Sequence, residues 1–213
     1  MSSASPMTRE EFAAMADVSR ETSERLGRYA DLLVKWQRRI NLVSAETLGD
    51  LWRRHMLDSA QLLKLLPLAA CSVADIGSGA GFPGLVLAVL GVRQVHLIES
   101  DARKCAFLAE AARATGLDVG RNPVIHRTRV EAIESFRVDV VTARACAPLP
   151  KLLGYAAPML RADSVCLFLK GGRVEEELTA AEKTWRMEVE RFPSFSDPSG
   201  TILRINQVAR VRL

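Results

Sequence analysis

The sequence predicts an α/β fold with a mainly parallel seven-stranded sheet that follows an N-terminal helical extension. From residue 72 onward, short apolar runs alternate with helical patterns, which is typical of parallel strands joined by right-handed crossovers. Before residue 72, apolar residues recur only at helical spacing. Two consecutive strand-like runs close the chain, with a turn-rich segment between them, and predict an antiparallel hairpin at the sheet edge.

The N-terminal extension, residues 1–68, is predicted to contain three helices. Thr8 and Glu11 fit a capping box, in which each residue satisfies a free amide of the other at the start of a helix. Ser19 is suited to cap the second helix, and Pro67 to end the third. The helices are expected at about residues 9–16, 20–39 and 48–66.

The second part of the chain, residues 69–213, is predicted to form the domain that carries the sheet. Its strands are expected at residues 73–76, 94–98, 122–127, 138–142, 164–170, 186–192 and 201–211. Helices are expected between them, at residues 83–90, 101–115, 130–135, 148–157 and 173–184.

The composition indicates a packed protein without a structural metal or disulfide framework. The 213 residues are 48% hydrophobic and 25% charged, which is typical of a globular chain. The four cysteines show no metal-ligand or redox spacing, so we expect small buried thiols. Residues 1–9 lack a signal-peptide core and no apolar run reaches membrane-spanning length, so we expect a cytoplasmic protein. The net charge of +4 permits a polyanionic partner.

The most informative segment is the glycine-rich run from Val73 to Gly84. An apolar strand ends in Asp75, breaks into alternating glycines and continues through Pro83 into a helical pattern, a geometry that suits nucleotide-like cofactors. Read from Gly79, the run matches G-x-G-x-x-G, so a dinucleotide-dependent oxidoreductase is one alternative. Read from Asp75, the acid followed by three alternating glycines resembles the first motif of class I S-adenosylmethionine (SAM) methyltransferases. An acid beside the loop would disfavour a pyrophosphate and accept an ammonium group, which favours the second interpretation.

Two further strand ends supply candidate contacts for an adenosine group. Glu99 ends the second strand about twenty residues after the glycines, where a carboxylate can accept both ribose hydroxyls. Ser100 and Asp101 follow it and also suit a helix start. Val130 and Glu131 lie at the next strand-to-helix turn, where an apolar side chain and a polar edge could contact adenine.

The fourth and fifth strands each end in a cation. Arg144 is expected beside the point where the strand order reverses, and its planar fork suits carboxylates, phosphates and guanine edges. Lys170 ends the fifth strand and is a candidate phosphate contact.

The chain as a whole resembles the ribosomal RNA small-subunit methyltransferase G family, also called glucose-inhibited division protein B. The resemblance spans about residues 26–172, and these elements carry it in order: Asn41 to Ser44, Arg54 to Ser59, Asp75 to Gly84, Glu99 with Lys104, Phe107 and Leu108, Thr142 to Ala145, and Lys170 with Gly171. One departure is Val130, where the family often has alanine between the arginine and the glutamate; valine keeps the backbone amide.

The resemblance implies the class I SAM-methyltransferase fold, SAM as cofactor and methyl transfer to N7 of a guanine in small-subunit (16S) ribosomal RNA. Because guanine N7 carries an in-plane lone pair, no general base is required, and Arg144 is expected to position the reactants. Together with the glycine motif, the resemblance places the cofactor at Asp75, Gly77, Gly79, Gly81, Phe82, Glu99, Ser100, Asp101, Val130, Glu131 and Arg144.

The expected partner is small-subunit ribosomal RNA, free or in the assembled 30S subunit, bound by a monomer. Basic groups on the extension, together with the cation after the fifth strand, are candidate RNA contacts: Arg38, Arg39, Arg53, Arg54, His55 and Lys170. For His55, helix packing is an equally good interpretation. A third alternative for the whole chain is an RNA-binding homologue without catalytic activity.

Overall fold

A seven-stranded sheet forms the centre of this computed structural model, which describes residues 5–68, 72–134 and 136–211. Its strands are β1 Ser72–Ile76, β2 Gln94–Glu99, β3 Val124–Arg127, β4 Val138–Arg144, β5 Leu160–Lys170, β6 Trp185–Pro193 and β7 Thr201–Arg210. Their order across the sheet is β3-β2-β1-β4-β5-β7-β6. The first five are parallel, whereas β7 runs antiparallel to both β5 and β6. The predicted fold class and the C-terminal hairpin are therefore confirmed.

The strand order reverses between β1 and β4, which lie side by side although they are far apart in sequence. Asp75 is in register with Thr142, and Ile76 with Ala143. In open parallel sheets, ligands bind outside the carboxyl ends of the strands at such a reversal. We therefore expect a ligand site at the loops that follow β1 and β4.

The helices lie before and between the strands: α1 Arg9–Ala16, α2 Arg20–Gln37, α3 Ala45–Leu48, α4 Asp58–Ala60, α5 Gly84–Val89, α6 Ala102–Ala114, α7 Leu149–Ala156 and α8 Val174–Glu182. Both reciprocal bonds of the capping box between Thr8 and Glu11 are present at the start of α1. The Ser19 hydroxyl accepts the Thr22 amide at the start of α2. These two predicted helix starts are confirmed.

The predicted third helix, residues 48–66, is wrong as a single element. After α3 the chain forms a π-helix, Trp52–Leu57, which is followed by α4 and a 3₁₀ turn, Gln61–Leu65. Leu66 is extended, because proline at the next position disfavours helical backbone. The helix expected at residues 130–135 is reduced to a 3₁₀ turn, Val130–Ala132. Pro83 caps α5 instead of occupying its first turn.

Two apolar cores cover the two faces of the sheet. The first contains residues from α1 and α2 as well as from β1, β2, α5 and α6, so the N-terminal extension and the sheet share one core. Tyr29 of α2 lies 6.1 Å from the Phe107 ring of α6, and Trp36 packs edge-on against the same ring. The second core lies under α7 and α8. The extension is thereby fixed rigidly against the sheet.

The remaining composition-based expectations concern cysteines, metals and membranes. Cys105 and Cys166 are buried and free, whereas Cys146 is exposed; Cys71 lies outside the described residues. Within the described ranges, no group of three or more potential ligand side chains could hold a metal ion. Among the helices described, none combines the length and apolar character needed to cross a bilayer.

Candidate active site

A cleft of about 890 Å³ lies at the carboxyl ends of β1, β4 and β5, and we call it the main cleft. One wall is the glycine loop, residues 77–82, together with the segment that follows β4. The opposite wall comes from the N-terminal extension and from the β6–β7 loop, residues 194–200. The main cleft therefore lies at the reversal of strand order and is bounded by parts of the chain that are distant in sequence.

The glycine loop presents one open backbone position to the main cleft. Gly77 has a positive φ of +67°, and a Cβ there would lie 2.5 Å from the Cys146 Sγ. The Cys146 thiol therefore fills the space into which a side chain at this position would point. The sequence had suggested that the cofactor would occupy this space. A Cβ at Gly79 would meet nothing closer than the Gly77 carbonyl oxygen at 3.8 Å. At Gly79 the backbone can be approached closely by a ligand.

Two residues that were predicted to contact the cofactor support the glycine loop from its core side. A Cβ at Gly81 would lie 2.7 Å from the Tyr29 hydroxyl, so this glycine faces the core. Asp75 is fully buried; its carboxylate accepts the Thr142 hydroxyl at 2.9 Å and the Gly84 amide at 3.2 Å. Burial raises the pKa of Asp75 to about 6. Neither residue lines the main cleft, so the structure assigns both a supporting place, and direct contact with a cofactor stays an untested prediction.

Phe82 provides an aromatic surface at the end of the glycine loop. Its ring stacks on Tyr29 with centroids 5.4 Å apart, and the Tyr29 hydroxyl donates to the Ala80 carbonyl. The Arg144 guanidinium lies 5.0 Å above the Phe82 ring centroid, a cation–π arrangement. Tyr29 thus connects α2 to the loop. Its helical spacing predicted only a core position.

Glu99 ties the end of β2 to the glycine loop. Its two carboxylate oxygens accept the Gly79 amide at 3.0 Å and the Asp101 amide at 2.8 Å. Asp101 caps α6 by accepting the amides of Arg103 and Lys104, which lowers its pKa, and Ser100 is exposed between them. Because an ionised carboxylate accepts about four hydrogen bonds, Glu99 retains capacity for ribose hydroxyls.

Val130 and Glu131 lie beside Glu99 but outside the lining of the main cleft. The turn that carries them follows β3, where the Thr128 amide donates to the Glu99 carbonyl at 3.1 Å. Val130 packs against the second core. Glu131 is exposed and accepts the Tyr155 hydroxyl at 2.6 Å, a bond that lowers its pKa. Because neither residue lines the main cleft, their contact with an adenosine group stays a prediction.

Arg144 leaves β4 and is anchored on the N-terminal extension. Its Nη2 lies 2.8 Å from His55 Nδ1, while Nη1 donates to the Arg54 carbonyl at 3.0 Å and to the Asp58 carboxylate at 3.3 Å. All three partners lie in or next to the π-helix. Its wider turn presents a carbonyl, a ring nitrogen and a carboxylate to one guanidinium, and π-turns often occur at functional sites.

His55 is a packed, neutral histidine. Since the guanidinium donates to Nδ1, the proton must lie on Nε2, which faces the Thr47 hydroxyl at 2.9 Å. Burial, with Arg144 and Arg54 nearby, lowers the pKa of His55 to about 3. The ring is only 6% exposed. Of the two interpretations of His55, the structure supports helix packing rather than contact with RNA.

Asp58 joins the extension to the β6–β7 loop. Besides Arg144, its carboxylate accepts the hydroxyls of Ser194 and Ser196 and the amide of Gln61. A second link is the ion pair between Arg54 and Asp197, at 2.8 Å. This network was not predicted from the sequence. The signals for it are an aspartate in the Arg54-to-Ser59 element and a group of serines in the turn before β7.

The predicted RNA contacts occupy different environments. Arg38 and Arg39 are exposed, whereas Arg53 pairs with Asp50 at 2.7 Å. Lys170 lines the main cleft, but its side chain is 6% exposed and its ammonium pairs with Glu177 at 2.6 Å. A phosphate would have to compete with Glu177 for this lysine, so its contact with RNA stays a prediction.

A second, basic cleft of about 460 Å³ adjoins the main cleft, and its lining residues are Gln37, Arg38, Arg39, Ile40, Asn41, Asp101, Arg103 and Lys104. The loop of residues 38–44 separates the two clefts, since Leu42 and Val43 line the main one. Gln37 fixes this loop through three bonds with the backbone of Leu42 and Val43, at 2.8 to 3.1 Å. The structure adds Arg103 and Lys104 to the cations predicted from sequence.

Comparison with known proteins identifies the family. The family model described as rRNA small subunit methyltransferase G matches residues 22–202. The chain belongs to this family. A relative from Rhodospirillum rubrum, named ribosomal RNA small subunit methyltransferase G, is 59% identical over 204 residues, covering 96% of this chain and 100% of the relative. Membership in the methyltransferase G family removes the oxidoreductase alternative and makes the protein a SAM-dependent methyltransferase of ribosomal RNA.

Solved structures agree on the fold. A ribosomal protein L11 methylase from Lactobacillus delbrueckii subsp. bulgaricus superimposes with a TM-score of 0.58 at 18% identity, covering 73% of this chain and 77% of that one. A TehB-like SAM-dependent methyltransferase from Corynebacterium glutamicum gives 0.54 at 15% identity, covering 87% and 100%. The protein therefore has the class I SAM-methyltransferase fold.

The residues at this edge fit the SAM cofactor of the methyltransferase G family. The backbone is open at Gly79, and Glu99 beside it has spare acceptor capacity for hydroxyl groups. Phe82 and the fixed Arg144 line the main cleft together with Gly79, whereas Glu99 lies behind the glycine loop and outside this lining. The loop shape and the acceptor capacity of Glu99 thus suit an adenosyl compound.

Proposed function

We propose that this protein methylates N7 of one guanine in small-subunit ribosomal RNA, and that the main cleft holds both the cofactor and the guanine. One observation carries the proposal: the open backbone at Gly79 and the fixed guanidinium of Arg144 line the same cleft. A cofactor held at Gly79 would leave the remainder of the main cleft, which Arg144 also lines, for a base. The volume of about 890 Å³ suits two such groups.

On the cofactor side, Glu99 would accept the ribose hydroxyls, and Gly79 would allow close approach of the backbone. Asp101, Val130 and Glu131 would complete the adenosine end. Bound SAM supplies an electrophilic methyl group on a positively charged sulfur. The chain holds this group and excludes water. Positioning of that kind supplies roughly 7–11 kcal/mol toward a bimolecular reaction.

On the substrate side, no side chain has to remove a proton. The in-plane lone pair of N7 would form the new carbon–nitrogen bond as the methyl–sulfur bond breaks. The electron pair of the broken bond would stay on the sulfur, the positive charge would pass to the guanine ring, and no proton would be lost. Consistent with this chemistry, Asp75 is buried away from the main cleft and His55 Nδ1 is occupied by Arg144. The two titratable groups that resemble bases in the sequence therefore serve as supports.

Arg144 would orient the guanine. Its guanidinium carries five N–H donors, and those used by the extension are on Nη1 and Nη2. A remaining donor directed at guanine O6 would fix the ring while leaving the N7 lone pair free for attack. The anchoring of Arg144 by Asp58 and His55 supports this role, because a guanidinium that is already fixed loses little entropy on binding.

The extension, residues 1–68, would act as a cap that forms the RNA side of the site on the domain of residues 69–213. The exposed cations of the basic cleft, Arg38 and Arg39 with Arg103 and Lys104, would hold backbone phosphates. We propose that the protein acts as a monomer in the cytoplasm, where small-subunit RNA is assembled. Arg54 would contribute at the rim, since it is partly exposed beside Asp197.

The test is methyl transfer to small-subunit RNA from cells that lack this protein, offered both as free RNA and as 30S subunits. With labelled SAM, we expect one methyl group per RNA, and mass mapping should place it on N7 of a single guanine. The preferred form of RNA identifies the substrate. Absence of transfer to either form would favour the inactive RNA-binding alternative, and methylation of another atom would contradict the proposal.

A further inference from the structure

An exposed aromatic ring lies at the rim of the main cleft. Phe195, in the β6–β7 loop, leaves 64% of its surface accessible to solvent. Its two neighbours, Ser194 and Ser196, line the main cleft and turn their hydroxyls inward to Asp58. The backbone thus alternates, with polar groups directed to the interior and the phenyl ring to solvent. A single exposed apolar side chain is common on protein surfaces, so what matters here is the position of this ring next to two residues that line the main cleft.

The ring is carried on a backbone that is held in place. The Phe195 amide donates to Gln61 Oε1 at 2.9 Å, and Arg54 reaches both the Asp197 carboxylate and the Ser196 carbonyl. These bonds connect the loop to residues more than 130 positions earlier in the chain. The backbone beneath Phe195 is therefore fixed to the same π-helix region that anchors Arg144. A ring presented on a fixed backbone binds a partner at low cost in conformational entropy.

We infer that Phe195 is a stacking platform for an unpaired base of the RNA, next to the guanine that enters the main cleft. This inference rests on the proposed function and extends it to the structure of the substrate. RNA is read sequence-specifically mainly in single-stranded segments, whose splayed bases stack on aromatic side chains. Such a platform, placed beside the cleft, favours a target guanine that lies in a loop or bulge over one in a continuous duplex.

Stacking contacts and phosphate contacts affect the salt dependence of RNA affinity differently. A phosphate contact contributes to the dependence of affinity on salt, because it releases counterions. A stacked phenyl ring releases none, so its removal should weaken binding by a similar factor at every salt concentration. Loss of one base–aromatic stack corresponds to roughly a 5- to 150-fold decrease in affinity.

The experiment compares Phe195→Ala, Phe195→Trp and a matched control, Met15→Ala, which removes another exposed apolar side chain, 54% accessible, from α1. Affinity for a single-stranded small-subunit RNA fragment is measured from 50 to 300 mM salt, alongside SAM affinity. We expect Phe195→Ala to weaken RNA binding roughly 5- to 150-fold with an unchanged salt slope. Phe195→Trp should retain affinity, and RNA should quench its added indole relative to wild type.

Equal RNA affinity of Phe195→Ala and wild type would overturn the inference, as would a change in salt slope without a general loss. An equal loss in Met15→Ala would also overturn it. Failure of the proposed function is distinguishable from failure of this inference. In that case wild-type protein would not methylate the RNA, whatever residue 195 contributes to binding.

Discussion

The two walls of the main cleft are built by different means. The glycine-loop wall is made of backbone, supported by buried groups such as Asp75 and Glu99 that lie within about 25 residues of one another in sequence. The opposite wall is made of side chains. Arg54 and Asp58 there bond to Ser196 and Asp197, which come from the far end of the chain.

We propose that this difference separates cofactor binding from substrate binding. A backbone wall cannot change by side-chain substitution without steric conflict, which suits a cofactor that is the same in every turnover. A wall of side-chain ion pairs can be remodelled one residue at a time, which suits RNA recognition. Arg144 belongs to both, since it leaves β4 beside the glycine loop and is held by the π-helix. The predictions below test this division.

The largest effect is expected where the two walls meet. Arg144→Ala should lower kcat/KM for RNA methylation about 1,000-fold, in the range found when one preorganised donor is removed from an active site. SAM affinity should change far less, because the cofactor side remains intact. Steady-state methylation and calorimetry measure the two quantities. Arg191→Ala, which removes an exposed cation paired with Glu175, is the control and should behave as wild type. A loss of SAM binding equal to the loss of activity would assign Arg144 to the cofactor wall instead.

Removal of the central carboxylate of the side-chain wall comes next. Asp58→Ala should lower the free energy of unfolding by about 3 kcal/mol, because it removes the only carboxylate that the described residues place against the half-buried Arg144 and takes their carboxylate acceptor from two serine hydroxyls. Urea denaturation measures this change. Asp197→Ala removes a more exposed partner, and its cost should be below about 1 kcal/mol. Equal effects of the two substitutions would mean that Asp58 has no special position in this wall.

The buried carboxylate under the glycine loop predicts a pH dependence. The pKa of Asp75 is raised from 3.8 to about 6, so its stabilising contribution is complete below pH 3.8 and is lost as the pH rises through 6. The stability of wild type relative to Asp75→Asn should therefore fall by at most about 3 kcal/mol between pH 4 and pH 7. Comparing the two proteins at both pH values cancels the altered hydrogen bonds. A difference that does not vary with pH would show that Asp75 is ionised throughout.

The smallest effect concerns the steric fit of the backbone wall. Gly77→Ala places a Cβ 2.5 Å from the Cys146 Sγ and forces a non-glycine residue to a φ of +67°. We expect SAM affinity to fall about tenfold, a cost typical of backbone strain. Adding Cys146→Ala should recover part of the loss, since the remaining contact lies at 3.1 Å. No recovery would mean that φ strain alone, not the thiol, limits this position. Calorimetry with SAM measures all three variants.

The same division explains what the sequence could predict. The glycine loop, the positions of the parallel strands and the place of Glu99 at a strand end follow from local patterns, because each depends on one strand with the loop and helix next to it. The directions of Gly81 and Asp75 were missed, since a motif gives backbone position and not the face that each residue presents. The contacts of Asp58 with Ser194 and Ser196 span more than 130 positions, and no local pattern encodes them. The ion pair of Lys170 was not predicted, because its partner, Glu177, belongs to the helix that follows and packs back on the strand end.

If the backbone wall binds the cofactor and the side-chain wall binds RNA, the two ligands should protect different parts of the chain. Hydrogen–deuterium exchange is measured with S-adenosylhomocysteine alone and then with small-subunit RNA added. We expect the cofactor product to protect residues 77–82 and 99–101, and RNA to add protection at residues 38–44, 54–58 and 194–200. Protection of residues 194–200 by the cofactor product alone, with residues 77–82 unchanged, would contradict this division.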